Sequence, residues 1–305
     1  EMNQMLVTEF LILGFSETPR LRGLLFLGFL CLYTAALSGN LLIVMAISAS
    51  PALHTSMYFF LVNLAAVDIL CTSTILPKLL DCMVAGRTIS YWGCMAQLFF
   101  FTWSMGAELL LFSAMAYDHY VAICWPLHYS TRMDTRVRAL LAMAVWTISL
   151  TNTSVHTGLM LHLPFCGSNV VEHFFCEIPP LLKLSCAPTC LNEAMAFTVD
   201  VFLAVGNFSV TVLSYCFIVA SVLHIRSAEG KRRAFSTCFA HLVVVTMYYS
   251  TVVYTYIRPS SSYSLQKDKV VSVIYTSVAP TLNPVIYTLR NKDVKVALRR
   301  LLSCS

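Results

Sequence analysis

Seven stretches of this chain, near residues 23–49, 58–82, 94–117, 139–163, 195–223, 236–257 and 270–289, are each long and apolar enough to cross a lipid bilayer. A hydrocarbon core about 30 Å thick takes roughly 20 helical residues at about 1.5 Å each. Within lipid every backbone N–H and C=O must find its partner inside the protein, so the economical form of such a run is an α-helix. Composition agrees: 58% of the 305 residues are hydrophobic, 11% are charged and the mean hydropathy is +0.73. Soluble domains rarely show that balance. The expected fold class is an all-α membrane protein, a seven-transmembrane helix bundle in a single domain over residues 1–305, with a short amphipathic cytoplasmic helix near 291–302. Residues 1–22 carry no basic start, short apolar core and small-residue cleavage site, so the first span is expected to serve as the insertion signal.

Basic residues set the orientation, because cytoplasmic loops collect Lys and Arg. Arg132, Arg136 and Arg138 follow the third run, Arg226, Lys231, Arg232 and Arg233 precede the sixth, and Arg290, Lys292, Lys295, Arg299 and Arg300 follow the seventh. The other side has Arg20, Arg22, Lys78, Arg87, Lys183, Arg258, Lys267 and Lys269, and these are matched there by as many acids. The N-terminus is therefore expected outside and the tail inside. The net charge of +5 reads as a basic cytoplasmic face meeting anionic membrane lipid or an acidic partner, and not nucleic acid. Most of these cations are expected only to anchor topology.

Of the 12 cysteines, Cys94, Cys166, Cys176, Cys186 and Cys190 fall on the outer side, where oxidation is permitted. Five is odd, so at most two bridges form among them, and the sequence leaves the pairing open. Cys304, beside the basic tail, is a candidate palmitoyl acceptor.

Charged groups deep inside spans are costly and point to function, and three lie away from the span ends: Asp68, Glu108 and Asp200. Asp68 lies ten residues beyond Tyr58, and Glu108 lies ten residues before Asp118. Both therefore sit about 15 Å from the cytoplasmic edge. Asn40 and Asn283 fall at similar depth, so two carboxylates and two amides are expected to meet in one polar layer. Two unpaired carboxylates repel, so either one is protonated or a cation lies between them. Oxygen ligands of this kind suit a sodium ion. The competing expectation is a hydrogen-bonded network without an ion.

The third run ends in MAYDHYVAIC, from Met115 to Cys124. Around it, in order, stand TEFLILGF at Thr8 to Phe15, LHTSMYFFLVNL within Pro51 to Leu64, PLHY at Pro126 to Tyr129, and SY at Ser214 to Tyr215. RAFSTC opens the sixth run, and PTLNPVIYTLRN spans Pro280 to Asn291. This set, spread from about Thr8 to Leu302, resembles the odorant receptors, a family of rhodopsin-like G protein-coupled receptors. The resemblance implies disulfides from Cys94 to Cys176 and from Cys166 to Cys186, which leaves Cys190 as a free thiol. It implies a sodium site at Asp68, Glu108 and Asn283, with no other cofactor. It implies coupling to a heterotrimeric G protein of the olfactory stimulatory type through Asp118, His119, Tyr120, Tyr215, Arg233 and Tyr287, raising cAMP. It also implies residence as a multi-pass protein in the plasma membrane, in the cilia of olfactory neurons. Pro284 is expected to bend the seventh helix and expose Asn283 and Tyr287 to partners.

His119 departs from the family signature, which has arginine there. Arginine carries a long, permanently charged fork, whereas histidine is shorter and titrates near an unperturbed pKa of about 6.5. Weaker coupling or altered basal activity is therefore expected, against the alternative that the change is tolerated.

The ligand expected for such a family is a small volatile odorant, held between the outer halves of helices 3, 5, 6 and 7. Helical spacing from the matched motifs points Phe101, Thr102, Met105, Gly106 and Leu109 inward from helix 3, with Val199, Asp200 and Leu203 from helix 5. Tyr249, Val252, Val253 and Tyr256 come from helix 6, and Val273 and Thr276 from helix 7. The lining is mostly apolar and suits dispersion plus one hydrogen bond. Asp200 and Tyr256 are the candidate anchors, unless Asp200 is capped within the bundle. A glycosylation sequon is missing at Asn3, and the two at Asn152 and Asn207 lie inside spans and are chance matches. The rival class is an ion-coupled transporter or channel using Asp68 and Glu108, but the chain shows no half-chain repeat. An enzyme is not expected: HExxH, GxSxG and a Gly-rich phosphate loop are absent, and His156, His162, His224 and His241 lack metal-ligand spacing.

Overall fold

The computed structural model describes residues 7–15, 18–166, 168–225, 227–256, 265–289 and 292–303. Arg226, Arg258, Arg290, Asn291 and Cys304 lie outside the described residues, as do the side chains of Arg233, Tyr256 and Lys292.

The chain folds as a seven-helix bundle followed by one amphipathic helix: α1 Pro19–Ala49, α2 Ser56–Val84, α3 Tyr91–Cys124, α4 Thr135–Leu161, α5 Cys190–His224, α6 Ala228–Tyr256, α7 over 265–289 and α8 Lys292–Ser303. Among the described residues, α1, α2, α3, α5, α6 and α7 each hold a window apolar enough to cross a membrane. In α4, Arg136 and Arg138 stand at the start, and Ser149, Thr153, His156 and Thr157 are buried, so its polar residues face neighbouring helices. Leu140 and Met143 on its other face are 61% and 57% exposed, as expected of side chains that meet lipid.

Local chemistry places the helix ends. The Ser90 hydroxyl accepts from the Gly93 N–H at 3.1 Å and caps α3, and the Asp134 carboxylate accepts from the Val137 N–H at 2.8 Å and caps α4. The third helix runs past residue 117 to Cys124 and stops at Trp125, whose φ is −132°, because Pro126 disfavours helical backbone in the residue before it.

α3 is the axis of the bundle, packing on α2, α4 and α5 and, over a shorter stretch, on α6. α1 lies against α2 and α7. A Cβ on Gly39 would meet the Pro284 ring at 3.1 Å, so glycine lets α1 and α7 approach closely there. Asn40 uses that approach: its amide donates to the Ala36 carbonyl at 2.9 Å and to the Pro280 carbonyl at 3.1 Å. The expectation that Asn40 joins the carboxylate layer is therefore corrected, since its donors are taken by the backbone that frees itself near the α7 proline.

Two features escape helical periodicity. Ala196–Asp200 in α5 and Ile274–Val278 in α7 are π-helical turns, which widen the helix and re-phase the residues beyond them. At the outer face a small sheet forms from β1 Glu9–Ile12, β2 Thr88–Ser90 and β3 Val170–Val171, in the order β2-β1-β3. β1 pairs antiparallel with β2, Phe10 opposite Ile89, and parallel with β3, Leu11 opposite Val170. Alternation in Glu-Phe-Leu-Ile buries Phe10 and Ile12 completely and pins the N-terminal segment over the helix ends.

Candidate ligand and transducer sites

Three layers lie along α3. In the outermost, Cys94 is bonded to Cys176 and Cys166 to Cys186, with Cα atoms 5.5 and 5.8 Å apart. Cys190 is unpaired and exposed. The segment carrying Cys176 forms a lid. Gln97 of α3 donates to the Thr74 carbonyl at 3.1 Å and accepts from the Cys176 N–H at 2.9 Å. Phe101 meets Phe175 edge-on at 4.8 Å and stacks on Tyr275 of α7 at 6.2 Å. It thus forms the roof over the bundle interior. His173 stacks on Phe174 with ring centroids 4.7 Å apart, and burial holds its imidazole pKa down at about 3.

Beneath the roof, Met105, Leu109, Tyr249 and Val252 belong to one apolar cluster between α3 and α6. Tyr249 meets Phe208 of α5 edge-on at 5.3 Å. Its buried hydroxyl has no well-aligned partner among the described residues, since the neighbouring Ser113 and Thr211 hydroxyls both donate to the Asn207 carbonyl. Tyr249 thus places a buried hydroxyl without a partner among the described residues in an otherwise apolar wall. Tyr248, which helical spacing did not single out, is fully enclosed: it donates to the Met105 carbonyl at 2.7 Å and meets Phe112 edge-on at 5.2 Å. Two tyrosines in succession were the available signal.

Several expected lining residues stand elsewhere. Val253 is 49% exposed on the lipid side of α6, and a Cβ on Gly106 would touch Ser149 of α4 at 3.3 Å, so neither faces the interior between α3, α5, α6 and α7. Thr276 is fully buried and donates to the Ser272 carbonyl within α7 at 2.7 Å, while Val273 packs near Phe101 and Tyr275. Thr102, Val199 and Leu203 are half-buried. Asp200 ends the π turn of α5, and its carboxylate accepts from the Asn152 amide and meets His156 Nε2, both at 3.1 Å. Both partners belong to α4 and both meet Oδ1, so Asp200 is bonded within the bundle while its side chain stays 39% exposed. The sequon asparagines are engaged in the same way, Asn152 with Asp200 and Asn207 with the Leu203 carbonyl at 2.7 Å.

In the middle layer, Asn283 donates to both Asp68 carboxylate oxygens, at 3.2 and 3.0 Å. Glu108, 1% exposed, has both oxygens without a hydrogen-bond partner among the described residues, and so do Asn283 Oδ1 and the Tyr287 hydroxyl. A buried carboxylate left without a donor is costly unless it is protonated or met by a cation. The donor set, two carboxylates, an amide oxygen and a phenol oxygen, is hard and oxygen-only, which fits a sodium ion.

In the inner layer, Tyr129 donates to buried Asp118 at 3.0 Å, and burial together with that carboxylate pushes the phenol pKa above its ordinary value. His119 Nδ1 donates to the Met115 carbonyl at 2.6 Å. Its ring stacks on His241 of α6 at 5.3 Å and 27°, and His241 stacks on Tyr215 of α5 at 5.8 Å and 21°. Tyr215 and His241 share a hydrogen bond of 2.6 Å. Three rings, each at most 8% exposed, thus close α3, α5 and α6 together. Tyr120 packs on Phe217 of α5 at 5.7 Å; Asn283 and the Tyr287 hydroxyl, expected to be exposed to partners by the Pro284 bend, are instead buried, because they turn into the carboxylate layer and the core beside it.

A seven-helix bundle with two disulfides at its outer end and a buried carboxylate layer is consistent with the rhodopsin-like receptor architecture expected above. The olfactory receptor family model matches residues 29–304. Over 98% of the chain, it is 54% identical to olfactory receptor 13G1 of Homo sapiens, covering 98% of that protein, and 56% identical to olfactory receptor 13A1 of Homo sapiens, covering 92%. Olfactory receptor 5AR1 of Mus musculus is 45% identical over 98% of the chain and 97% of its own length. The chain belongs to the olfactory receptor family of class A G protein-coupled receptors. It is a multi-pass membrane receptor and not an enzyme, and the transporter reading falls away.

Proposed function

We propose that the chain detects small volatile odorants between α3, α5, α6 and α7 and activates an olfactory stimulatory G protein, raising cAMP, from the plasma membrane of olfactory cilia. The observation that supports this reading is identity of 54 and 56% to olfactory receptors over nearly the whole chain. Met105, Leu109, Tyr249 and Val252 contribute the apolar contact, and the Tyr249 hydroxyl the one directional bond. Membrane lipid surrounds the exposed apolar faces, and the basic inner face meets anionic headgroups and the G protein.

A ligand drives such a bundle only through unequal affinity for its two states. Each aromatic stack is worth about 0.5–1.5 kcal/mol and a hydrogen bond about as much, so the latch of His119, His241 and Tyr215 holds the inner end with roughly 2–4 kcal/mol. A ligand that prefers the open state about 100-fold supplies about 2.7 kcal/mol, the same magnitude as the latch. Parting these rings moves α6 away from α3 and uncovers Asp118, His119, Tyr120, Tyr215 and the start of α6 at Arg233 to the G protein. Asp68, Glu108 and Asn283 would hold a sodium ion that favours the closed state, and the ion supplies charge compensation only. In purified receptor, sodium at about ten times its Kd should then add about 1.4 kcal/mol to stability over an organic cation. Glu108→Gln should lose that increment, and an equal sodium response in the variant refutes the ion site.

The functional test is cAMP accumulation in cells co-expressing the chain with the olfactory stimulatory G protein, challenged with a chemically diverse odorant panel at verified surface density. A reproducible dose-dependent response supports the reading. Responses that persist without the G protein overturn it.

A further inference from the structure

On the outer face, the segment that follows β1 passes the start of α1 and the end of α2 and leaves a shallow cleft, lined by Phe15, Arg22, Leu25, Leu79, Met83 and Arg87. It belongs to the α1 and α2 side of the bundle, away from the α5 and α6 residues assigned to odorant. Its enclosed volume is about 20 Å³, room for one water-sized group, so it can receive the tip of a molecule while the body stays outside. Both arginines are half-buried, and among the described residues neither guanidinium has a carboxylate or hydrogen-bond partner. Other outer cations are satisfied. Lys78 pairs with Asp81, and the Lys269 ammonium donates to the Leu13 and Gly14 carbonyls, both at 2.9 Å.

The charge around the cleft is one-sided. Arg22 stands in the first turn of α1, where unbonded backbone N–H groups already present the positive end of the helix dipole. That turn holds no acidic residue, and the Thr18 side chain does not cap it. Arg87 adds a second permanent cation to the same cleft, and like charges repel. An oxyanion relieves both, because two guanidinium forks can share its oxygens in charge-assisted hydrogen bonds about twice as strong as neutral ones. The surroundings are apolar. Leu25 and Leu79 line the cleft, and beside it Leu21, Leu24 and Val84 are 48, 63 and 74% exposed at the ends of two membrane spans. A soluble anion would use only the charges, whereas an anion carried on a hydrocarbon tail uses both features.

We propose that this cleft is a binding site for an anionic amphiphile of the outer membrane leaflet: a phosphate or carboxylate headgroup bridges Arg22 and Arg87, and its tail lies along Leu21, Leu24 and Val84. The site is separate from odorant detection and needs no G protein.

The test is a fluorine NMR titration of the full chain in zwitterionic lipid nanodiscs with ω-fluorododecyl phosphate, with ω-fluorododecanol as the uncharged comparison and empty nanodiscs to subtract partitioning. The phosphate should bind saturably and at least about 10-fold more tightly than the alcohol, as expected for hydrogen bonds to charged groups. Arg22→Gln combined with Arg87→Gln should weaken it by at least a similar factor, with thermal melting confirming the fold. Arg20→Gln removes a neighbouring exposed cation that does not line the cleft, and it should leave affinity within about twofold. Inorganic phosphate separates the two sources of the headgroup chemistry: it should displace the amphiphile only at concentrations at least about 10-fold higher, since it lacks the tail. Equal affinity for phosphate and alcohol, unchanged binding in the double variant, an equal loss in Arg20→Gln, or equal competition by inorganic phosphate would each overturn the proposal.

Discussion

At its outer end α3 is joined to the lid covalently through Cys94 and Cys176, hydrogen-bonded to it through Gln97 and packed beneath it by Phe101. At its inner end the same helix meets α5 and α6 through the rings of His119, His241 and Tyr215, with no covalent tie. The magnitudes differ accordingly. Removing a native disulfide typically costs about 2–5 kcal/mol, whereas each ring contact contributes about 0.5–1.5. On the proposed reading, a ligand bound beneath the roof would work against a stiff outer end and a soft inner one, which assigns the two-state motion to the inner end.

The sharpest way to break the contrast is Cys94→Ser. It should lower stability by about 2–5 kcal/mol and strongly reduce delivery to the cell surface, read by antibody staining of intact cells. Normal surface density and melting would show that the lid does not depend on the bridge.

Acid should soften the outer end without touching the disulfides. His173 has a folded pKa of about 3 against an unfolded value of about 6.5. Between those values the unfolded state holds the extra proton, so stability falls as pH falls, by about 1.4 kcal/mol per unit and about 2 kcal/mol from pH 7 to 5. Hydrogen exchange across residues 170–178 should rise over that window, and His173→Phe should flatten the response. Unchanged exchange in the wild type counts against a buried neutral imidazole.

The inner end is probed by His119→Arg, which removes the stack on His241 and introduces a permanently charged fork. Basal and ligand-evoked cAMP should change by a few-fold, about 1 kcal/mol, at equal surface density. Identical signalling would make the histidine a tolerated variation and the stack irrelevant to gating.

The smallest effect is expected between the two ends. Asp200→Asn should cost about 0.5–1.5 kcal/mol through its contacts with Asn152 and His156, while leaving the rank order of active odorants unaltered. A reordered ranking would return Asp200 to the ligand site.

Fold class, family and topology were legible in the sequence because their signals are local. Apolar length, the placement of Lys and Arg, and blocks such as MAYDHYVAIC do not depend on how helices turn against one another. The buried carboxylates Asp68 and Glu108 were legible for a related reason, since depth along a helix follows from counting residues. The outer sheet was missed because four residues of β1 pair with strands more than 70 positions away, and a segment that short has little periodicity of its own.

What the sequence by itself determined, then, is which segments enter the membrane, which way they run and how deep each polar group lies. Only the tertiary structure decided which partner each polar group takes. Asn40 went to the Pro280 carbonyl, Asp200 to α4, Val253 to the lipid side and His119 onto His241. The physical reason is rotational. A helix's length and burial depth are set by its own residues, but the face it turns to a neighbour depends on inter-helix packing and on π turns such as Ala196–Asp200, where one added residue per turn shifts every later side chain by about 100°.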